Sequence, residues 1–256
     1  SFGARSAMSA ALSDPARRHA VVRRLAEKLQ HFEQADRQGR AGGQRSTGIQ
    51  AIDGLLPDGG MGDGSLVEWL SDSPGSGAGT LAFAVAVHRM AADPTGAACV
   101  VVDPSREVYP PTIGWKHDPD RLVVVHPPND RETLWSVEQA LRCPGVAVVV
   151  GWLDAMGTHA FRRLQLAAES GGGLGLLLRP ATYRVEPSWA AVRFSVNAIP
   201  ARALLSGRRL RVELVHCRGR LAMGGVELEI DDETGDVHLV SRLADSTAAT
   251  CRARAR

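Results

Sequence analysis

No apolar run in this 256-residue chain approaches the roughly 20 residues needed to cross a bilayer, and no secretory leader is visible, so a cytoplasmic protein is expected with no membrane contact. The four cysteines, Cys99, Cys143, Cys217 and Cys251, are widely spaced, form no C-x-x-C pair and have no histidine at zinc-ligand spacing. They are expected to be reduced thiols, with no metal site. His216 and Cys217 are adjacent, and on a strand they point to opposite faces, which makes them a poor joint ligand pair. The chain also lacks a strong charge of either sign: its net charge of +2 is too small to mark a nucleic-acid binder by itself. Arginine dominates the positive set, so a local concentration stays open.

What is present is 44% hydrophobic residues, enough for the core of one large α/β domain with appendages. Asp14-Pro15 forms a helix start, an N-cap followed by proline, and Val21, Val22, Leu25, Leu29 and Phe32 then recur at helical spacing. The other face carries Arg17, Arg18, Arg23, Arg24 and Lys28. Two readings stay open: a solvated face on a helix docked to its own domain, or a helix that reaches a partner across a linker at residues 34–44. The chain accordingly divides into an N-terminal helix and linker (1–43), a core (44–240) and a basic tail (241–256). The tail holds Arg252, Arg254 and Arg256, either as a solubilising end or as a contact to phosphate or an acidic partner.

From Ser46 short apolar runs alternate with helical stretches, as in a parallel sheet with crossover helices. Strands are expected at 66–70, 98–103, 122–126, 147–150 and 174–179, and helices at 80–90, 130–142 and 158–170. Runs such as VVVD and VAVVV are apolar throughout, which fits strands covered on both faces. After Pro187, runs at 192–196, 210–216, 226–230 and 237–240 predict antiparallel strands extending the same sheet.

Residues 68–87, EWLSDSPGSGAGTLAFAVAV, have the layout of a strand, a glycine-rich turn and a helix that cradle phosphate. A working loop is G-x-x-x-x-G-K-[ST], in which lysine neutralises the outer phosphates and the hydroxyl ligates magnesium. Here Asp72 stands at the first glycine, Gly77 at the second, Ala78 at the lysine and Gly79 at the hydroxyl residue, with Gly75 inside the loop and Thr80 after it. Each lost charge-assisted hydrogen bond removes roughly 1.5–3 kcal/mol. Together with the lost metal ligand, this predicts ATP affinity weakened by about two to four powers of ten. The turn is therefore either purely structural or a residual anion site at the start of the following helix.

The ordered set Arg45-Ser-Thr-Gly-Ile-Gln-Ala-Ile-Asp53, Leu55-Leu-Pro-Asp-Gly-Gly60 and Gly64-Ser-Leu-Val-Glu68, directly before that loop, resembles the opening of a RecA-type ATPase core. The resemblance implies a RecA-like α/β fold of the P-loop NTPase type, and it also locates what is missing. Ser105 stands near the place of the water-activating glutamate, with Glu107 two residues out of register. Gly151 stands where a magnesium-organising aspartate would close the strand, and Arg179-Pro180 where a γ-phosphate sensor would lie. Hydrolysis is therefore not expected, and neither is a cofactor. The segments matching the family's mobile DNA loops, 152–158 and 181–188, look short. Tyr183, Arg184 and Trp189 stack on bases or serve as packing and turn residues.

A RecA-like core with an eroded ATP site and an amphipathic N-terminal helix is similar to the ImuA family. That resemblance implies a role in damage-induced translesion synthesis and mutagenesis, with an ImuB-like protein and RecA as partners. On this reading the chain is a non-catalytic adaptor. Val21, Leu25, Leu29, Phe32, Arg17 and Arg24 would form the partner-binding helix, which could also mediate self-association. The alternatives are a RecA-filament modulator touching DNA through its arginines, a protein like the cell-division inhibitors of the damage response, and a divergent ATPase with Glu107 as base.

Overall fold

Apolar runs bounded by turn residues become the strands of one nine-stranded sheet. A computed structural model describes residues 43–73, 75–108, 119–200, 207–218, 224–231 and 237–239. The expected N-terminal helix and the arginine tail lie outside the described residues.

The first part is a small preface to the sheet. Strands β1 (Gln44–Arg45) and β2 (Met61–Gly62) pair antiparallel around the short helix α1 (Gln50–Asp53). The Ser46-Thr47-Gly48 turn is held by Asp53, whose carboxylate accepts from Ser46 Oγ at 2.6 Å and Thr47 N at 2.8 Å. The spacing of these residues thus closes a local turn.

The main sheet then follows: β3 (Leu66–Ser71), α2 (Ala78–Ala92), β4 (Ala98–Val102), β5 (Leu122–Val125), α3 (Asp130–Arg142), β6 (Val146–Trp152), α4 (Thr158–Gly171), β7 (Leu174–Pro180), β8 (Val192–Ile199), β9 (Arg208–Cys217), β10 (Gly224–Ile230) and β11 (Val237–Leu239). Its strand order is β11-β10-β9-β8-β3-β7-β6-β4-β5. The run from β5 to β8 is parallel, and β9, β10 and β11 are antiparallel to their neighbours. The mostly parallel sheet with an antiparallel C-terminal side is as the sequence predicts, except that 192–196, expected among the antiparallel strands, forms β8, which runs parallel to β3, so the direction changes only between β8 and β9.

Strand alternation divides the core into two layers. Val67, Trp69, Val148, Val150, Leu176 and Leu178 pack with Leu81, Ala82 and Val85 of α2. Leu66, Val149 and Leu177 pack with Val137 and Leu141 of α3 and with Phe161 and Leu164 of α4. Helix α3 starts with an Asn129 N-cap: Glu132 N donates to Asn129 Oδ1 at 3.0 Å, and Asn129 Nδ2 donates to Glu132 Oε1 at 3.3 Å. Where α4 ends, a Cβ on Gly171 would stand 2.0 Å from the Leu141 carbonyl oxygen, so only glycine permits this crossing of α3 and α4.

Candidate functional site

The C-terminal ends of parallel strands are where α/β sheets bind ligands. Here β3, β6 and β7 end in a cleft of about 630 Å³, lined among others by Asp72, Gly75, Gly77, Ala78, Gly79, Thr80, Ser105, Glu107, Trp152, Arg179 and Arg208. The structure thus gathers in one place the residues that the sequence assigns to the glycine-rich loop, to the water-activator position and to the sensor position, while Gly151 is not part of the lining.

The loop is held from the β8 and β9 side by residues of its own sheet. Gly77 caps α2 with φ 92°, and a Cβ there would lie 2.4 Å from Leu210 Cδ1 of β9. A glycine is therefore required on both conformational and steric grounds. With the Asn197 amide oriented so that its nitrogen faces oxygens, it donates to Asp72 Oδ2 at 2.5 Å. Asp72 is in this way tied to β8.

The metal side of the loop is apolar. Trp152 at the end of β6 comes within 3.9 Å of where a Cβ on Gly79 would stand, and its ring lies 5.9 Å from that of Phe83 on α2. Sequence reasoning placed the vacant acidic position at Gly151. A Cβ on Gly151 would meet Val137 of α3, at 3.0 Å, so Gly151 lies on the α3 side of the sheet. Trp152 is the residue that faces the loop.

The segment after β4 is organised by a buried aspartate. Asp103 accepts from Ser105 Oγ at 2.7 Å, Arg106 N at 3.0 Å and Val108 N at 2.8 Å. Ser105 is consumed in that turn, and Glu107 is exposed on the cleft wall. Asp72, Glu107, Asp130 and Asp154 line the cleft against Arg208 and Arg179, an unfavourable field for a polyphosphate. Among the described residues no group of three His, Cys, Asp or Glu side chains is placed to hold a metal.

Arg179, at the sensor position, belongs to a network that sequence reasoning missed. Glu68 on β3 is fully buried. Its carboxylate accepts from Arg179 Nη1 and from Ser188 Oγ, each at 2.6 Å, and Arg193 Nε lies 2.6 Å away. Arg193 also donates to the carbonyls of Tyr183 at 2.8 Å and of Arg184 and Glu186 at 3.1 Å. Arg179 Nη2 reaches the Asp154 carbonyl at 3.2 Å. One buried carboxylate thereby holds down both short loops, the one at Asp154 and the 3₁₀ turn at Ala181–Val185. The available signal was a charge inside each of three apolar runs, VEW, LLR and VRF.

The aromatic residues of this region have partners of their own. The Arg179 guanidinium lies 4.4 Å from the Tyr183 ring centroid and that of Arg162 lies 4.7 Å from Trp189. Arg184 lies 3.8 Å from Glu213. This favours the packing reading of Tyr183 and Trp189 over base stacking.

No family model matches the chain. Its structure is similar to that of the RadB recombinase, with a TM-score of 0.59 at 15% identity, covering 77% of this chain and 99% of that one, which shows a RecA-like fold. A shorter match, 32% identical over 74 residues, joins 29% of the chain to 42% of the cell division inhibitor SulA of Photorhabdus laumondii. Protein ImuA of Caulobacter vibrioides is 33% identical over 230 residues, covering 81% of this chain and 93% of that protein. Sequence likeness over nearly the whole length, on a RecA-like fold with a cradle that lacks its cation, gives the assignment: the chain belongs to the ImuA family.

Proposed function

We propose that the chain is a non-catalytic adaptor in damage-induced translesion DNA synthesis and mutagenesis, working in the cytoplasm and binding an ImuB-like protein, RecA or both. Family membership supports the pathway. The observation that supports a scaffold over a motor is Trp152, an indole facing the loop at the end of β6, beside a helix start with neither lysine nor hydroxyl at the required positions. The Glu68 network supports the same reading, because a RecA-type motor must let its loops change with nucleotide state and these loops are tied to a buried carboxylate.

The SulA match spans too small a part of the chain to bring that protein's activity with it. The test is capture of purified ImuB-like protein and RecA by the full chain and by a chain lacking residues 1–43. Capture by the full chain supports the adaptor, and its loss on truncation assigns the contact to the helix of Val21, Leu25, Leu29 and Phe32. Failure of the full chain to capture either protein ends the proposal.

A further inference from the structure

The clamp on the 181–188 turn has a second effect: it presents a fixed outer surface. Val185, at the tip of the turn, is 90% exposed although the backbone on both sides of it is pinned by Arg193. Trp189 follows at 37% exposure, bracketed by two arginines. Arg162 of α4 covers one face of its ring, and Arg218 after β9 donates to its carbonyl at 2.8 Å. Leu166, one helical turn beyond Arg162, is 46% exposed.

Among the described residues, two of the arginines at this surface have no carboxylate partner. Arg162 bonds to Gln165 Oε1, and neither Arg162 nor Arg218 meets a carboxylate among the described residues. Arg184 has only the distant Glu213, at 3.8 Å with both side chains about half exposed. Glu186 is drawn toward Arg179, Glu138 is paired with Arg142 and Arg163, and Glu169 bonds to Gln165.

We infer that the surface formed by Trp189, Arg162, Arg218 and Leu166 docks an acidic peptide segment of a partner protein, one with an apolar side chain among its carboxylates. The inference rests on the adaptor reading and names the chemistry the partner must carry. Tryptophan flanked by arginine is the composition of binding hot spots, and a pinned backbone loses little entropy on binding. Positive charge without counter-ions selects carboxylates. Single-stranded nucleic acid fits less well, since it needs free ring faces for its bases, and one face each of Tyr183 and Trp189 is already under a guanidinium. The chain's own ends do not fit either, since their sequences are arginine-rich at residues 17–24 and 252–256.

The experiment is fluorescence anisotropy of the full chain with three labelled probes: a short peptide with a central Leu-Phe pair flanked by Asp and Glu, the same peptide with Asn and Gln in their place, and an oligo-dT strand. The acidic peptide is expected to bind about tenfold or more tighter than the neutral one, and Arg162→Glu with Arg218→Glu removes that preference while leaving the melting temperature unchanged. Trp189→Ala weakens both peptides. The inference is overturned if the acid makes no difference, if the arginine variants bind as before, or if oligo-dT binds best and is what those variants lose. A chain that captures the ImuB-like protein and yet ignores the acidic peptide overturns only this surface. A chain that captures nothing overturns the adaptor reading as well.

Discussion

Arg179 Nη1 stands 2.6 Å from Glu68 Oε1, and both side chains are essentially shut away from water. Removing Arg179 takes from the buried carboxylate one of its two guanidinium partners, with Arg193 and Ser188 remaining, so the cost is that of one charge-assisted hydrogen bond, about 1.5–3 kcal/mol. Arg179→Met is expected to lower stability by that amount in urea unfolding. It should also hasten trypsin cleavage after the exposed Arg184, because the turn loses its anchor. Unaltered stability together with unaltered cleavage would mean that Arg193 and Ser188 hold Glu68 without help.

The loop offers a gain-of-function trial. Installing the missing groups by Ala78→Lys with Gly79→Thr is expected not to restore Mg·ATP binding at about 1 mM nucleotide, since Trp152 and the rim carboxylates remain. Titration calorimetry is the measurement. A saturable isotherm would show that the two loop residues alone were the defect.

Gly77→Ala should be costly out of proportion to one methyl group. A positive φ of 92° costs about 1–2 kcal/mol for alanine, and displacing Leu210 adds about 1–3 kcal/mol of overpacking. Adding Leu210→Ala should leave the backbone penalty but relieve the collision, so the double variant is predicted to lose less than the two single losses combined. Strict additivity in thermal melts would contradict the contact.

Burial pushes the Cys99 thiol up to about 12 from 9.0, with Arg121 opposing. The folded state therefore holds this proton over a range where the unfolded chain releases it. The thiol's contribution to stability is complete below about pH 9 and declines as pH rises toward 12, by up to about 1.4 kcal/mol per unit. A Cys99→Val variant should show a shallower alkaline loss than the parent in urea melts. Equal slopes would remove Cys99 from the account. In the native protein a thiol reagent at pH 8 should also find Cys217 before Cys99 or Cys143, which are buried.

The order of elements was legible because β4, β5 and β6 are unbroken apolar runs between turn residues and β3 and β7 are broken by a single charge each. Helix 130–142 was legible to the residue because its cap and its last basic residue are both local signals. The missing lysine was equally plain, since a loop motif is contiguous. The exchange of Gly151 for Trp152 was not, because which strand-end residue faces the loop depends on the phase of the strand against α2 and α3. The Glu68 network was hidden for a different reason: Arg179 lies 111 residues from Glu68 and Ser188 lies 120, so no local spacing records the pairing. Partner choice is hidden further still, since the residues expected to carry it, Val21, Leu25, Leu29 and Phe32, lie outside the described residues.

β3 lies between β7 and β8, and the Glu68 carboxylate takes one arginine from each of them. β8, the last parallel strand, therefore cannot peel away from β3 without pulling Arg193 off an anion that has no water to replace it. The three strands β7, β3 and β8 are fastened into one cooperative unit, and hydrogen exchange in β8 should report the same global opening as exchange in β3.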